Sequence, residues 1–322
     1  MIMEKQYVVG VDVGGQTSKI GVVNARGEIL SRLVIRSDTY GTDANAYLSA
    51  LADAIRECVV ECGKTGEIRG VGVGAPNSNY YTGQISCAPN LLWAADGTVE
   101  FSKILSENLG GISVSLTNDA NAAAIGEMTY GVARGMKNFI MITLGTGVGS
   151  GIVIDGKVVY GHDGNAGELG HTCVVRYNGR PCGCGKTGCL ETYCSATGVA
   201  RTAREMLELT DEPSLLRGVE DLSSKAVYEA AAEGDALAKK IFDYTGKMLG
   251  RSFADFVAFS SPEAIVLFGG LARAKEFFYE PMVESMNENL MHQWKGKIKI
   301  VFSQLKESDA AILGASALAW EL

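Results

Sequence analysis

Three cysteines and one histidine stand at a spacing that a metal could use. Cys182, Cys184 and Cys189 fall in the stretch PCGCGKTGCLE, and His171, one of three histidines, precedes Cys182 by eleven residues. Three thiolates and one imidazole make a tetrahedral Cys3His zinc set. The surrounding segment, Asn165–Glu191, is rich in glycine and poor in apolar residues, so a hydrophobic core cannot hold its shape. Two carboxylates bracket the set: Glu168, three residues before His171, and Glu191, two after Cys189. A disulfide knot or a set of buried free thiols is the competing reading, and it is disfavoured by how thiols are used in reducing compartments. A zinc with four protein ligands has no open position, so it would hold the loop and not activate water.

A second group of residues suits phosphate. The run Asp12-Val-Gly-Gly-Gln-Thr-Ser-Lys19 places a glycine pair after a short β-rich run. Glycines let bare backbone N–H groups approach an anion. Asp12 could hold a metal through water, and Lys19 could offset phosphate charge. Gly145-Thr-Gly-Val-Gly149 repeats the pattern with a hydroxyl at Thr146, and Gly269-Gly270 precedes a helix whose N-terminus would favour an anion. Each turn alone is weak evidence, since glycine turns between strands are common. None has the GxxxxGK[ST] spacing, and none gives GxGxxG with an acid downstream, which disfavours a P-loop or dinucleotide enzyme.

Asn118-Asp119 is the third feature, at the end of an apolar run and just before an alanine-rich one. An Asp there is either a helix N-cap or a general base, with Asn118 orienting a substrate hydroxyl. A free Asp titrates at about 3.9 and cannot deprotonate an alcohol in the ground state. In a loose phosphoryl-transfer transition state the hydroxyl becomes acidic only as the new bond forms. Asp119 would then orient the nucleophile and take its proton late.

The elements that must position these groups are legible in outline. Tyr7–Asp12, Lys19–Asn24 and Glu28–Ile35 read as strands, with a turn at Arg26-Gly27. Ala44–Cys62 carries Tyr47, Leu48, Leu51, Ile55 and Val59 at helical spacing. Cys58 and Cys62 then belong to one buried face, with a redox pair as the lesser reading. Strands are expected at Arg69–Gly74 and Ile112–Leu116, and a helix at Ala120–Tyr130. Asn138–Leu144, a glycine turn and Ser150–Ile154 then resemble the opening strands, which suggests an internal duplication. Helices follow at Gly198–Leu209, Ser223–Glu233 and Asp235–Phe259. A strand at Ala264–Phe268, a helix at Arg273–Leu290, a strand at Ile298–Phe302 and a helix at Ala310–Glu321 complete the chain. Alternating strands and helices predict an α/β fold.

Composition sets limits. The 322 residues suggest about two domains. The net charge of -8 and the lack of an Arg/Lys run argue against a nucleic-acid partner. No signal-peptide layout or long apolar run is visible, so a cytoplasmic protein with no membrane contact is expected.

The motifs DVGG, TNDANAAAIGE, LGTGVGSGI, GELGH and CGCGKTGCLE together resemble the ROK family of bacterial sugar kinases, repressors and unclassified proteins. The resemblance covers essentially the whole chain, and the ELGH and C-x-C-G-x-x-G-C-x-E pair is its most specific part. It implies a two-domain actin-like ATPase (ribonuclease H-like) α/β fold with a zinc-loop insertion. The smaller lobe would be 1–125 plus 308–322, and the larger 126–307 with the zinc loop at 165–191. It implies an ATP-dependent hexose kinase, most similar to a glucokinase, using ATP, Mg²⁺ and a structural Zn²⁺. Asp119 looks like the catalytic base. Asn90, Asn118, Glu168, His171 and Glu191 look like sugar ligands, and His171, Cys182, Cys184 and Cys189 like the zinc ligands. Asp12, Gly14, Gly15, Thr17 and Lys19 look like the first phosphate loop, and Gly145, Thr146 and Gly147 like the second. Gly269 and Gly270 look like the adenosine-side turn. A homodimer or homotetramer is implied.

Two residues depart from the family pattern. Gln16 stands where Thr commonly follows the glycine pair, and Asn77 where sugar kinases often carry glycine. The alternatives are a kinase for N-acetylglucosamine, N-acetylmannosamine or fructose, or a non-catalytic sugar-binding relative. A sugar-sensing repressor would need an added helix-turn-helix domain, which the first strand's start near Met1 leaves no room for.

Overall fold

The computed structural model describes residues 6–322. In chain order these form β1 (Tyr7–Val13), β2 (Thr17–Asn24), β3 (Ile29–Arg36), α1 (Ala44–Glu61), β4 (Ile68–Gly74), β5 (Ser78–Asn79), β6 (Gln84–Ser86), β7 (Thr98–Val99), α2 (Phe101–Asn108), β8 (Val114–Thr117) and α3 (Asp119–Tyr130). Then come β9 (Phe139–Leu144), β10 (Val148–Ile154), β11 (Lys157–Val158), α4 (Glu191–Cys194), α5 (Ala196–Leu209), α6 (Ser224–Ala232), α7 (Ala236–Ser260), β12 (Ala264–Phe268), α8 (Lys275–Asn289), β13 (Lys299–Phe302) and α9 (Glu307–Leu318). Two compact units divide them. Of the described residues, the first comprises 6–136 with Val158–Ala166 and Gln304–Leu322, and the second Lys137–Lys157 with Gly167–Ser303.

The sheet of the first unit runs in the order β3-β2-β1-β4-β8. β1 and β2 form an antiparallel hairpin, while β4 and β8 add in parallel beside β1. These strands read as near-continuous Val/Ile runs because both faces of the sheet are covered. On one side lies α1, whose Tyr47, Leu48, Leu51, Ile55 and Cys58 are buried at helical spacing. Asp43 caps it, accepting from Ala46 N at 2.9 Å. Burying each of these apolar side chains contributes roughly 1.5–3 kcal/mol. On the other side α9 lies so close that a β-carbon on Gly72 would overlap the Ala315 carbonyl. Cys58 and Cys62 are both free thiols, with Cys58 buried against Ser31 Oγ at 3.1 Å.

The sheet of the second unit has the order β11-β10-β9-β12-β13. β9 and β10 are antiparallel, and β12 and β13 run parallel to β9. Each sheet therefore begins with a hairpin and continues with two parallel strands on the far side of its first strand. This shared order is what an internal duplication would leave. The core of this unit packs Phe242, Leu249, Phe253 and Val257 of α7 with Phe278, Met282 and Met286 of α8 over Ile140, Ile142, Ile265 and Leu267.

The unit boundaries at 136/137, 166/167 and 303/304 fall between the numbered elements and the one at 157/158 divides the two-residue β11, whereas division points at 125/126 and 307/308 fall inside the longer α3 and α9. Val158–Ala166 joins the first unit for a physical reason. Tyr160 stacks on Tyr80 with centroids 4.0 Å apart, Asn79 Nδ2 donates to the Asp163 carbonyl at 2.6 Å, and Tyr81 Oη donates to the Gly161 carbonyl at 3.0 Å. Among the described residues, no helix is long and apolar enough to cross a membrane.

Candidate active site

In the first unit, three loops leave the carboxyl ends of adjacent parallel strands. The register pairs Asp12 of β1 with Gly74 of β4, and Gly74 with Thr117 of β8. The Asp12–Thr17 turn, the Ala75-Pro76-Asn77 turn and the Asn118-Asp119 corner therefore lie along one edge. The carboxyl edge of a parallel sheet is where ligands bind in open α/β folds.

At the corner, the helix cap is Asn118. Its Oδ1 accepts from Asn121 N at 2.7 Å, which satisfies one of the orphan N–H groups of α3. Asp119 is the first residue of the helix, and its Oδ1 accepts from its neighbour, Ala120 N, at 2.8 Å. Capping is thus done by a residue other than the candidate base. Asp119 has exposed surface, yet removal of bulk water by the protein around it raises its carboxyl above the usual range, against the Ala120 N–H. Accessible area decides whether a small molecule could reach it. The raised titration says only that the surroundings solvate the charge poorly. Desolvation also raises Asp12, opposed by Lys19, whose Nζ is 3.6 Å from Asp12 Oδ2, and reinforced by the charge of Asp119.

The first glycine turn is braced from both sides. Gly14 N donates to the Thr17 carbonyl at 3.0 Å, and Ser37 Oγ donates to the Gly14 carbonyl at 2.6 Å. The Asn90 carbonyl packs so closely on Gly15 that a β-carbon there would meet it at 2.7 Å. The loop carrying Asn90 therefore touches the turn that carries the glycine pair. Gln16 is exposed, and its carbonyl, not its side chain, braces the turn by accepting from Ser37 N at 2.9 Å. Asn77 has φ 53°, a left-handed conformation that Asn tolerates better than other side chains, so it can stand where glycine is usual. Its Nδ2 donates to the Cys87 carbonyl at 2.9 Å, which fixes the start of the Cys87–Asn90 loop.

In the second unit, the Gly145–Gly149 turn leaves β9, and Gly269-Gly270 leaves β12 beside it, since Phe268 pairs with Thr143. The two turns touch: a β-carbon on Gly269, whose φ is 108°, would meet the Leu144 carbonyl at 2.5 Å.

The four metal-set residues come together in this unit. The donor atoms of His171, Cys182, Cys184 and Cys189 all lie within 4.8 Å of one another. Cys184 Sγ and Cys189 Sγ are 3.7 Å apart, and Cys182 Sγ is 3.6 Å from His171 Nδ1. A tetrahedron with metal–sulfur bonds of about 2.3 Å has edges of about 3.8 Å. A disulfide needs its sulfurs at about 2.05 Å, so the observed separation is that of ligands and not of a bridge. Burial pushes the Cys189 thiol up to about 12, with Cys184 and Cys182 adding to the effect. A bound cation would reverse that preference by displacing the protons. Because Nδ1 faces the thiols, Nε2 of His171 points away from the cluster.

The two bracketing acids are held differently. Glu168 is exposed and opens the short turn Leu169–His171. Buried Ser150 fixes that turn: its Oγ donates to the Gly167 carbonyl and accepts from Leu169 N at 2.9 Å. Glu191 begins α4, its Oε2 accepting from Val148 N at 3.0 Å, while Oε1 lies 3.9 Å from Cys182 Sγ. One carboxylate therefore touches both the second glycine turn and the thiol cluster.

Sequence reasoning missed Arg180. It is buried, and it donates to the Thr192 carbonyl at 2.7 Å, to Thr202 Oγ1 at 2.9 Å and to Glu205 Oε2 at 3.1 Å. Its guanidinium also sits 4.4 Å from the Tyr193 ring centroid. It ties the thiol loop to α4 and α5. No spacing signal marks a buried Arg in an otherwise exposed loop. Ser150 and Thr197, whose Oγ1 donates to the Thr146 carbonyl at 2.9 Å, were likewise invisible as isolated hydroxyls.

A model of the ROK family matches residues 8–321 of this chain. The glucokinase of Halalkalibacterium halodurans is 39% identical over 290 residues, 87% of this chain and 85% of that protein. The glucokinase of Thermotoga maritima is 34% identical over 321 residues, 98% of each. A crystal structure of a ROK family glucokinase from Streptomyces griseus, in complex with glucose and AMPPNP, matches with a TM-score of 0.78 at 30% identity, covering 98% of this chain and 100% of that one.

Proposed function

This chain belongs to the ROK family, and we propose that it is an ATP-dependent glucokinase, transferring the γ-phosphoryl group of ATP to the 6-hydroxyl of glucose. Relatives that are glucokinases match nearly the full chain, and the mixed α/β sheets are consistent with the actin-like ATPase fold. The observation that carries the mechanistic reading is the Asn118-Asp119 corner, where capping falls to Asn118 and leaves the Asp119 carboxylate accessible.

Asp119 is the proposed base. Its raised carboxyl is a stronger base than a free Asp, though still far weaker than an alkoxide. It accepts a hydrogen bond from the hydroxyl, aims the oxygen, and takes the proton as the phosphorus–oxygen bond forms. Asn90, Asn118, Glu168, His171 and Glu191 would bind the other sugar hydroxyls. Once a bound sugar covers them, acceptors of this kind reject analogues lacking the hydroxyls they pair with. The Asp12–Lys19 turn and the Gly145–Gly147 turn bind the phosphates through backbone N–H groups, and Gly269-Gly270 lines the adenosine side. Mg²⁺, for which Asp12 offers an oxygen, would neutralise charge on the transferring group.

Zn²⁺ fits the His171, Cys182, Cys184 and Cys189 set by donor type and spacing. It would fix the segment that carries Glu168 and Glu191, and its four protein ligands leave it no part in the chemistry. His171 can bind metal through Nδ1 and face a hydroxyl through Nε2. A homodimer or homotetramer is the proposed assembly, which sedimentation of the purified chain would establish.

A panel of hexoses at fixed ATP tests the proposal. Glucose should give the highest kcat/KM. A clear preference for N-acetylglucosamine, N-acetylmannosamine or fructose would move the assignment to that sugar, and no transfer to any hexose would end it.

A further inference from the structure

The second glycine turn is held by a segment that begins two residues after the last thiol. Ala196 N donates to the Gly145 carbonyl at 2.8 Å, and Thr197 Oγ1 donates to the Thr146 carbonyl at 2.9 Å. Glu191 Oε2 takes the Val148 N–H at 3.0 Å, and a β-carbon on Gly147 would overlap that carboxylate. Three consecutive parts of the turn are therefore gripped from one side by Glu191–Thr197. A trans peptide is planar, with its C=O and N–H pointing in opposite directions. Fixing the carbonyls of Gly145 and Thr146 thus aims the N–H groups of Thr146 and Gly147 the other way.

The grip is itself supported. Thr197 has one hydroxyl proton, spent on Thr146, so Ser195 donates to Thr197 across 2.9 Å while its own oxygen accepts from Gly198 N at 3.0 Å. Ser195 is the cap of α5. The turn is fastened to a helix terminus and not to a free loop. The first unit repeats the device, where the Ser37 hydroxyl donates to the Gly14 carbonyl of the other glycine turn at 2.6 Å.

We propose that Thr197 is a positioning residue for the phosphoryl donor: its hydroxyl orients the Thr146–Gly147 peptide so that the turn's N–H groups are presented to a nucleotide phosphate. The inference rests on the reading of Gly145–Gly149 as a phosphate turn. It also ties Glu191, a proposed sugar ligand, to the phosphate turn through Oε2, with Oε1 beside the metal cluster. In this role Thr197 acts through the turn it holds and not on the reacting atoms.

The test is calorimetric titration of a non-hydrolysable ATP analogue with Mg²⁺ into the full chain, alongside steady-state kinetics. Thr197→Val keeps the shape and removes the hydroxyl. Loss of one such hydrogen bond should weaken nucleotide binding roughly five-fold, raise KM for ATP in step, and leave glucose affinity and zinc content at wild-type values. Thr197→Ser should restore nucleotide binding. If Thr197→Val fails to fold, Thr197→Ala is read the same way, with its melting temperature as control. Wild-type nucleotide affinity in the folded hydroxyl-less variant would overturn the proposal, as would failure of Ser to rescue. A wild-type chain that binds nucleotide but phosphorylates no hexose would refute the kinase reading while leaving this one intact.

Discussion

Asn118 caps helix α3 by accepting from Asn121 N–H at 2.7 Å, and so releases the next residue, Asp119, from that duty. A sequence ending a strand in Asn-Asp offers two cap candidates. The geometry assigns the cap to the Asn118 amide and not to the Asp119 carboxylate, which accepts only from Ala120 N–H beside it.

Asn118→Ala should destabilise the protein by about 1 kcal/mol, the usual loss when a cap side chain is removed. Asn118→Asp should keep the cap and most of the stability. If the Asn118 amide also contacts sugar, the Asp variant will show a raised KM for glucose at near-wild-type stability. Urea unfolding and steady-state kinetics separate the two effects.

Asp119 and Asp12 are both held above the ordinary carboxylate range, mainly by desolvation. A native value above the unfolded one means that the native state keeps its proton to higher pH. Stability then falls as pH rises from the unfolded value, about 3.9, through the native one, and the deficit persists above it. Asp119→Asn removes this deficit. The variant should be more stable than wild type near neutral pH, with the gain disappearing once the pH falls below about 4. Urea midpoints across that range decide it, and a less stable variant at neutral pH would contradict the electrostatic reading. Wild-type kcat/KM should show its acid limb above the ordinary carboxylate range, because the base must be ionised.

Metal analysis should find about one zinc per chain. Cys184→Ser should lower that content, lower the melting temperature and raise the KM for sugar, because Glu168 and Glu191 flank the cluster. Acid should release the metal, since protons compete for thiolates. Unchanged zinc in a variant lacking Cys182, Cys184 and Cys189 would refute the site.

Arg180→Met should cost roughly 2 kcal/mol of stability, since it strips partners from the Thr192 carbonyl and Thr202 Oγ1 within the packed region between the thiol loop and α5. Glu205 is partly exposed and can turn to solvent, which limits the loss. Thermal unfolding with zinc bound and after chelation should show that the variant loses metal more readily than wild type.

The sequence revealed the large sheets because their strands are Val/Ile runs punctuated by glycine, and the long helices because their apolar spacing is regular. β10 begins at Val148, inside the glycine turn, two residues before the expected Ser150. The small sheet of β5, β6 and β7 left no such signal, as its strands are two or three residues long. α2, eight residues from Phe101 to Asn108, was missed for a similar reason: only Phe101 and Leu105 are buried. At the site, cysteine spacing was enough to predict the cluster that the fold assembles. Ser150, Arg180 and Thr197 were hidden, since what they do depends on carbonyls and amides brought near by the fold. Gln16, which departs from the family pattern, is exposed, and its backbone carbonyl braces the turn.

The proposed mechanism has Asp119 as the base and builds the sugar site from other groups. The most direct measurement is turnover and glucose binding by Asp119→Asn, an isosteric change that keeps the side-chain oxygen accepting from Ala120 N–H. Turnover should fall by a factor of at least about a hundred, the lower end of what a general base contributes, while glucose affinity stays within a few-fold of wild type. A variant with near-normal kcat would rule out Asp119 as the base.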